Sequence, residues 1–397
     1  MTIFGDTTDM SHLSQSSGDL TIEIRGAGFQ NKGAELMLHA VLQEVERWGR
    51  PVRPVVNVRN GSYVKRAKLG LFQKLHLDRL SKILYRAGGA VPTGLLDPYG
   101  MVMERDIDAV LDCSGFAYSD QWGAGSSEDL AAKSERWKRQ GKKVVLLPQA
   151  LGPFEEPATR EAFVKGARNV DLIFARDDIS YEHARDVCGS LSSLRQAPDF
   201  TCLVEGGDVA DEFVGRVAVV PNVRMLDKTE SSTSASYPDV MRRVLKALRD
   251  QGADPYILVH DSHGDYGFAE EIGGGMSQPV QIVREEDPLR IKGMLGAASV
   301  VVASRYHALV SALTQGVPVL ATSWSHKYEE LLGDFSMSRY LLPLDGTSDI
   351  EGLLEELSDP DVRGELNVGI DAGRTAYRRS SQEMWQSVRA VLSETPG

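Results

Sequence analysis

Beginning at Leu20, short apolar runs alternate with amphipathic helical stretches, and no other feature constrains the fold as tightly. TIEIRGAGF reads as a strand, GAELMLHAVLQEVERWG as a helix and PVVNVR as the next strand. DAVLDCSG, VVLLPQALG and LIFARD follow as strands, separated by the helical stretches SSEDLAAKSERWKRQGK and ATREAFVKGARNV. Near-continuous apolar strands are buried on both faces, so each needs a helix to cover it, which is the signature of βαβ units on a parallel sheet. The alternation pauses at CLVEGGDVADEFVG (202–215), rich in glycine and acids, which reads as a linker. It resumes with VAVVPNVR, a helix from Pro238 to Gln251, PYILVH, VQIVRE, the helix DPLRIKGMLGAA, SVVVAS, a helix from Tyr306 to Gln315, and VPVLATSW.

The expected fold is therefore α/β, with two tandem Rossmann-like domains facing a cleft, and the length of 397 residues is enough for two cores. The expected boundaries are 20–205 and 206–375, preceded by a disordered tail at 1–19 and followed by a helix at 376–397 that crosses back to the first domain. Ligands in such sheets sit beyond the carboxyl ends of the strands. Attention therefore falls on the residues that follow each apolar run.

A net charge of -12 argues against a dedicated nucleic-acid binder, because phosphate would be repelled by most of the surface. Cys113, Cys188 and Cys202 show no CxxC spacing, so neither a disulfide framework nor a zinc ribbon is expected, and the reading is a reducing, cytoplasmic compartment. The polar start of the chain lacks an apolar secretory core, and no apolar run approaches the ~20 residues of a membrane span. HExxH, a DxD pair, GxSxG and the P-loop are absent, so no metal is expected. Two stretches depart from the alternation. MLDKTESSTSASY (225–237) reads as a mobile lid or an ordinary loop. YVKRAKLGLFQKLHLDRLSKILYR (63–86) carries seven Lys/Arg against one Asp at helical apolar spacing. A surface helix packed on the core is the plainer reading of it; peripheral contact with the inner face of an anionic membrane is the other.

Five strand ends carry candidate chemistry. In SRYHALVSALTQGVPVLA the strand delivers Arg305 and His307 to the mouth of a helix, where unpaired N–H groups and the dipole favour an anion. Arg305 adds a planar fork for carboxylate or phosphate, and His307 a proton-carrying group. The competing reading places Arg305 in a salt bridge and has His307 cap its own helix. In LIFARDDISYEHA, Arg176 points into the same cleft from the other domain, or else forms a surface pair with Asp177. In IRGAGFQNKGAELML the glycines at 26, 28 and 33 do not fit GxGxxG, but Arg25 and Lys32 suit an anion or a sugar near the helix start beside Asn31. DAVLDCSGFAYSDQWG sets Asp112, Ser114, Tyr118, Asp120, Gln121 and Trp122 together, a mixture of stacking and hydrogen-bonding groups suited to carbohydrate, or else a core Trp with a capping Asp. SWSHKYEELL brings His326 and Lys327 to the same cleft edge.

Taken in order, GFQNKGAELML, DAVLDCSGFAYSDQWG, LLPQALGPF, ARDDIS, APDFT, SRYHALVSALTQGVPV and SWSHKYEELL resemble the polysaccharide pyruvyl transferases, from about Leu20 to Leu332. The resemblance implies a GT-B-like fold and transfer of a pyruvyl group from phosphoenolpyruvate to two sugar hydroxyls as a ketal, with release of phosphate. It implies no cofactor beyond phosphoenolpyruvate as co-substrate, a saccharide acceptor that is free or lipid-linked, and a role in cell-surface or exopolysaccharide biosynthesis. Arg176, Arg305 and His307 match the family's donor-binding positions, joined here by Tyr306, His326 and Lys327. The acceptor would fall to the first domain, to Arg25, Asn31, Lys32, Ser114, Tyr118, Gln121 and Trp122. The mechanism needs an acid for C3 of the donor, expected at His307, and a base for the hydroxyl, expected at Asp112 or Asp120. Two rival readings stand beside it: a sugar-nucleotide glycosyltransferase or epimerase on the same fold, and a non-catalytic glycan-binding member. The acceptor's identity, the ketal stereochemistry and the oligomeric state are left open by the sequence.

Overall fold

The computed structural model of the chain describes residues 19–75, 95–226, 231–261, 264–274, 276, 278–322, 327–344 and 349–393. The expected tail lies outside them, Asp19 apart, as does His326. Among the described residues the strands form two sheets, parallel throughout. The first contains β1 (Leu20–Arg25), β2 (Val52–Asn57), β3 (Phe72–Lys74), β4 (Met101–Val102), β5 (Ala109–Asp112), β6 (Lys143–Gln149), β7 (Leu172–Ala175) and β8 (Leu194–Gln196). Their order is β4-β3-β2-β1-β5-β6-β7-β8. The second contains β9 (Val217–Val220), β10 (Pro255–Val259), β11 (Gln281–Arg284), β12 (Val300–Ala303), β13 (Val319–Thr322) and β14 (Leu341–Leu342), in the order β11-β10-β9-β12-β13-β14. This is the expected doubly wound α/β architecture, once in each half. Strand order reverses between β1 and β5 in one sheet and between β9 and β12 in the other, and such switch points open a crevice at the carboxyl ends of the strands.

The central strands are apolar on both faces because helices cover both. Val217–Val220 and Val300–Ala303 are buried throughout. The first sheet has a separate core on each face, and the second half has one large core. The 3-10 turns Phe200–Leu203 and Asp211–Phe213 lead the chain from one sheet to the other.

The last helix, Pro360–Ser393, is a single rod of 34 residues, about 51 Å long at 1.5 Å per residue. Ile370 and Tyr377 pack into the second core, while Met384, Trp385, Val388 and Leu392 pack into the first. Trp385 meets the edges of Trp48 and Phe200 at 6.5 and 5.7 Å. The sequence pattern hides its first half behind glycines. A Cβ on Gly369 would lie 2.7 Å from Cβ of Ser336, and one on Gly373 2.6 Å from the carbonyl of Asp334. Here glycine lets a helix lie close on a turn rather than ending the helix.

Two readings are corrected. Residues 63–86 do not form one basic amphipathic helix: the helix is Tyr63–Lys68, capped by Ser62, and β3 follows it, while 76–86 lie outside the described residues. Two of the cations turn inward. Arg66 donates to the carbonyls of Val58, Asn60 and Gly61, and Lys74 pairs with buried Glu23 at 2.8 Å. The Ser/Thr-rich stretch is helical from Ser231, so Pro238 lies inside a helix (Ser231–Asp250) that it was expected to start. Among the described residues no helix is long and apolar enough to cross a membrane.

Candidate functional site

Two helix starts meet where the switch points face each other. In the first half, Asn31 caps the helix Lys32–Glu46, its Oδ1 accepting from the N–H groups of Gly33 and Ala34 at 2.9 and 3.3 Å. In the second, Arg305 occupies the cap position of the helix Tyr306–Leu313 and makes no side-chain cap, so the first N–H groups there gain no partner from it. The two ends touch. A Cβ on Gly33 would lie 2.3 Å from Nδ1 of His307, so only glycine admits the imidazole. Backbone pairing of Asn31 with Asp261 and a bond from the Lys32 N–H to the carbonyl of His260 (3.4 Å) join the halves beside it. Lys32 Nζ reaches Glu35 at 2.8 Å and the carbonyl of Glu286 at 2.6 Å, so Lys32 is a strut across the cleft.

Between these ends lies a cavity of about 290 Å³. Its wall from the second half includes Arg305, Tyr306, His307, Lys327, His260 and Asp261; Arg176, from the end of β7, completes the cationic side. Arg176 is buried, with its guanidinium 4.1 Å from the Tyr306 ring and 3.5 Å from Asp199, and its Nε has no hydrogen-bond partner among the described residues. Asp199 also lies 3.3 Å from Nε2 of His307, an ion-pair distance without hydrogen-bond alignment. Burial opposes its ionisation, yet His307, Arg176 and the Thr201 hydroxyl hold its carboxyl well below the usual carboxylate range. Lys292 of the second half fastens that turn by donating to the Thr201 carbonyl at 2.7 Å.

Arg305 forms the salt bridge that was the competing reading and lines the cavity as well. Its Nε and Nη2 grip buried Asp265 at 2.9 and 2.6 Å, a two-point pairing that fixes the plane of the fork. The Nη1 edge remains toward the cavity, 3.4 Å from Asp261. His307 does not cap its helix; it faces Asp199. Lys327 is enclosed by rings, 4.7 Å from Phe116 and 5.6 Å from Tyr306. Burial, with Arg176 and Arg305 nearby and only Asp177 opposing, pushes its ammonium well below the usual lysine range.

The opposite wall is neutral. Ser114, Gly115, Phe116 and Trp122 line it, Phe116 and Trp122 meeting edge to face at 6.4 Å. The base expected at Asp112 or Asp120 is not on this wall. Asp112 is 2% exposed, accepts from the Ser114 N–H at 3.0 Å and the Tyr118 hydroxyl at 2.9 Å, and so braces the turn from beneath. Asp120 accepts from the N–H groups of Glu155 and Glu156. Tyr118 is buried on Asp112, and Gln121 is exposed on the 3-10 turn Asp120–Trp122. Arg25 pairs with Asp129 at 2.6 Å and lines a separate polar cavity of about 180 Å³ with Asn57, Asn60, Lys74 and Lys133. Among the described residues the carboxylate on the main cavity wall is Asp261. Asn222 and Arg224 after β9, His260 and Asp261 after β10, and Asp199 after β8 were not singled out from the sequence. The first four obey the same strand-end rule that found Arg305, and Asp199 stands inside the APDFT stretch. No group of three or more His, Cys, Asp or Glu among the described residues could hold a metal ion.

The sequence profile of the family described as polysaccharide pyruvyl transferase matches residues 31–326, most of the chain and all of the described cavity wall except Lys327 and Tyr328. The chain belongs to the polysaccharide pyruvyl transferases. No curated protein matches it by sequence comparison. Solved structures share the fold at low identity. S. aureus MnaA, solved with UDP, matches with a TM-score of 0.57 at 13% identity over 95% of this chain and 99% of its own. Anabaena Alr3699/HepE in complex with UDP and glucose matches at 0.57 and 12%, over 94% and 99%. The Neisseria meningitidis UDP-GlcNAc 2-epimerase bound to UDP-GlcNAc matches at 0.56 and 11%, over 94% and 99%. These likenesses show the two-domain GT-B fold that the pyruvyl transferase shares with them.

Proposed function

We propose that this pyruvyl transferase takes its pyruvyl group from phosphoenolpyruvate and sets it as a ketal on two hydroxyls of a saccharide. The observation that carries the reading is the convergence of Arg176, Arg305 and His307, from strand ends of both sheets, on one cavity wall. Phosphoenolpyruvate carries a carboxylate and a phosphate. Two guanidinium groups and the N-terminus of the helix Tyr306–Leu313 match that charge, and Arg305 would offer its Nη1 edge in exchange for Asp261. His307, oriented by Asp199, gives a proton to C3, and C2 becomes electrophilic. A sugar hydroxyl adds to C2 and loses its proton. The C2–O bond to phosphate then breaks with its electron pair leaving on phosphate, and a second hydroxyl closes the ketal with loss of its own proton. The neutral wall of Phe116, Trp122 and Ser114 suits the flat face and hydroxyls of a sugar.

Thermal denaturation with phosphoenolpyruvate, UDP and UDP-GlcNAc tests the reading. Phosphoenolpyruvate should raise the melting temperature and the uridine nucleotides should not; the reverse result would move the chain to sugar-nucleotide chemistry. A lipid-linked acceptor remains part of the proposal through the exposed Tyr63 and Val64 beside Lys68. Co-sedimentation with anionic vesicles, fading as salt rises, is the outcome it requires.

A further inference from the structure

His260 is a buried titratable group on the cavity wall that this mechanism does not use. It follows β10, is 3% exposed and lines the cavity with Arg305 and His307. Its carbonyl receives the Lys32 N–H, which ties its backbone to the opposite half. Its Nδ1 is buried without a hydrogen-bond partner among the described residues. Such an orphan costs about 1–3 kcal/mol, so a ring held this way calls for a reason. Arg305 faces it from the end of β12, His307 from the following helix and Lys32 from the first half, all carrying or able to carry positive charge. The nearby carboxylates, Asp261 and Asp265, are both engaged with Arg305. Burial, then Arg305, His307 and Lys32, hold the imidazole well below its usual range, so the ring is neutral near pH 7. An entering anion reverses that balance, because it adds negative charge where cations alone act on the ring.

We infer that His260 is a proton-linked anion contact: as the phosphate-bearing donor enters the cavity, His260 takes a proton from solvent and, as imidazolium, donates a hydrogen bond to an anionic oxygen of that ligand. This rests on the donor reading and sharpens it, since the donor then arrives together with a proton. Both ring nitrogens donate in the charged form, so the change also supplies the buried nitrogen with a proton to share.

Calorimetric titration of the full chain with phosphoenolpyruvate at pH 7, in two buffers of different ionisation enthalpy, reads the proton directly. About half to one proton should be taken up per donor bound. His260→Gln, which keeps a hydrogen-bonding side chain but cannot become charged, should abolish most of that uptake and weaken binding about 10- to 100-fold. His307→Gln and Lys327→Gln should retain the uptake. Binding by the parent without proton uptake overturns the inference without any variant having to fold. Uptake that survives His260→Gln overturns it too. If phosphoenolpyruvate does not bind the parent, the donor reading fails instead, and the same titration with inorganic phosphate tests His260 by itself, uptake supporting the contact and its absence refuting it.

Discussion

The two switch points have the same topology and opposite chemistry. At β1/β5 most polar groups satisfy one another: Asn31 caps its own helix, Asp112 holds Ser114 and Tyr118, and Arg25 rests on Asp129, with only its Nη1 left without a partner among the described residues. What they leave facing the cavity is a neutral surface of glycine, serine and rings. At β9/β12 the groups are left partly unanswered. The helix after Arg305 lacks a side-chain cap and Nδ1 of His260 has no hydrogen-bond partner among the described residues, and Arg176, reaching the same wall from the end of β7 in the first sheet, has an Nε without one. A site that completes its own hydrogen bonds is scaffold; one that holds cations and orphaned donors in a low dielectric is prepared for an anion. The cavity thus has a cationic wall, built mostly by the second half with Arg176 added from the first, and a neutral wall built by the first half; on the proposed function these would take the donor and the acceptor.

The sharpest way to break that division is at His307. His307→Gln keeps a donor but cannot deliver an acid's proton, so turnover in a pyruvyl-transfer assay at saturating donor should fall by about 10²–10⁴. Turnover within threefold of the parent would remove His307 from the chemical step. Next in size is a matched pair of arginines. Arg176→Ala should cost roughly 2–5 kcal/mol of phosphoenolpyruvate binding by calorimetry, because the contact is desolvated. Arg25→Gln, at the end of β1 in the same sheet but lining a separate cavity, should leave donor affinity within about twofold. Equal losses would mean that the charge asymmetry has no functional meaning.

Much of this was legible in the sequence, for identifiable reasons. Parallel strands buried on both faces leave continuous apolar runs, so the β9–β13 series could be read strand by strand, and residues after several of the runs were already candidates, though not those after β9 and β10. Arg176, Arg305 and His307 were found that way. The rule locates a residue but does not say what it is bonded to, and there Asp112 misled: it is at the strand end, yet it spends both oxygens on its own loop. Asp199 has the opposite history. It lies in an irregular turn after β8, and only the meeting of the two halves brings it to His307. The first half of the last helix was missed because glycines chosen for close packing look, in one dimension, like helix breakers.

Glycines near the first helix offer a smaller test of where the halves press together. Gly33→Ala sets a Cβ 2.3 Å from the His307 ring, and overpacking of that kind should cost about 1–3 kcal/mol in denaturant unfolding and displace the imidazole. Gly28→Ala meets nothing nearer than 4.0 Å and should be close to neutral. If the two variants behave alike, the helix ends do not meet as described, and the first half's glycines serve the loop rather than the contact.

The smallest effect distinguishes a cation that is already answered from one that awaits its ligand. Arg305 gives one edge to Asp265, and that pairing is buried and two-pointed; its other edge meets Asp261 at 3.4 Å, long for a charge-assisted bond. A single contact of that length on the cavity wall is worth little, about 0.5–1 kcal/mol. Asp261→Asn keeps the backbone pairing with Asn31, since that involves no side chain, and removes the charge that would compete with the donor for Nη1. Phosphoenolpyruvate should then bind about two- to fivefold more tightly, as the converted contact energy requires. Asp265→Asn, in contrast, disturbs the edge that sets the plane of the fork, and donor binding should weaken. If Asp261→Asn weakens binding as well, Asp261 helps to hold the arginine in place, and the second switch point is more completely satisfied by its own residues than the contrast with the first allows.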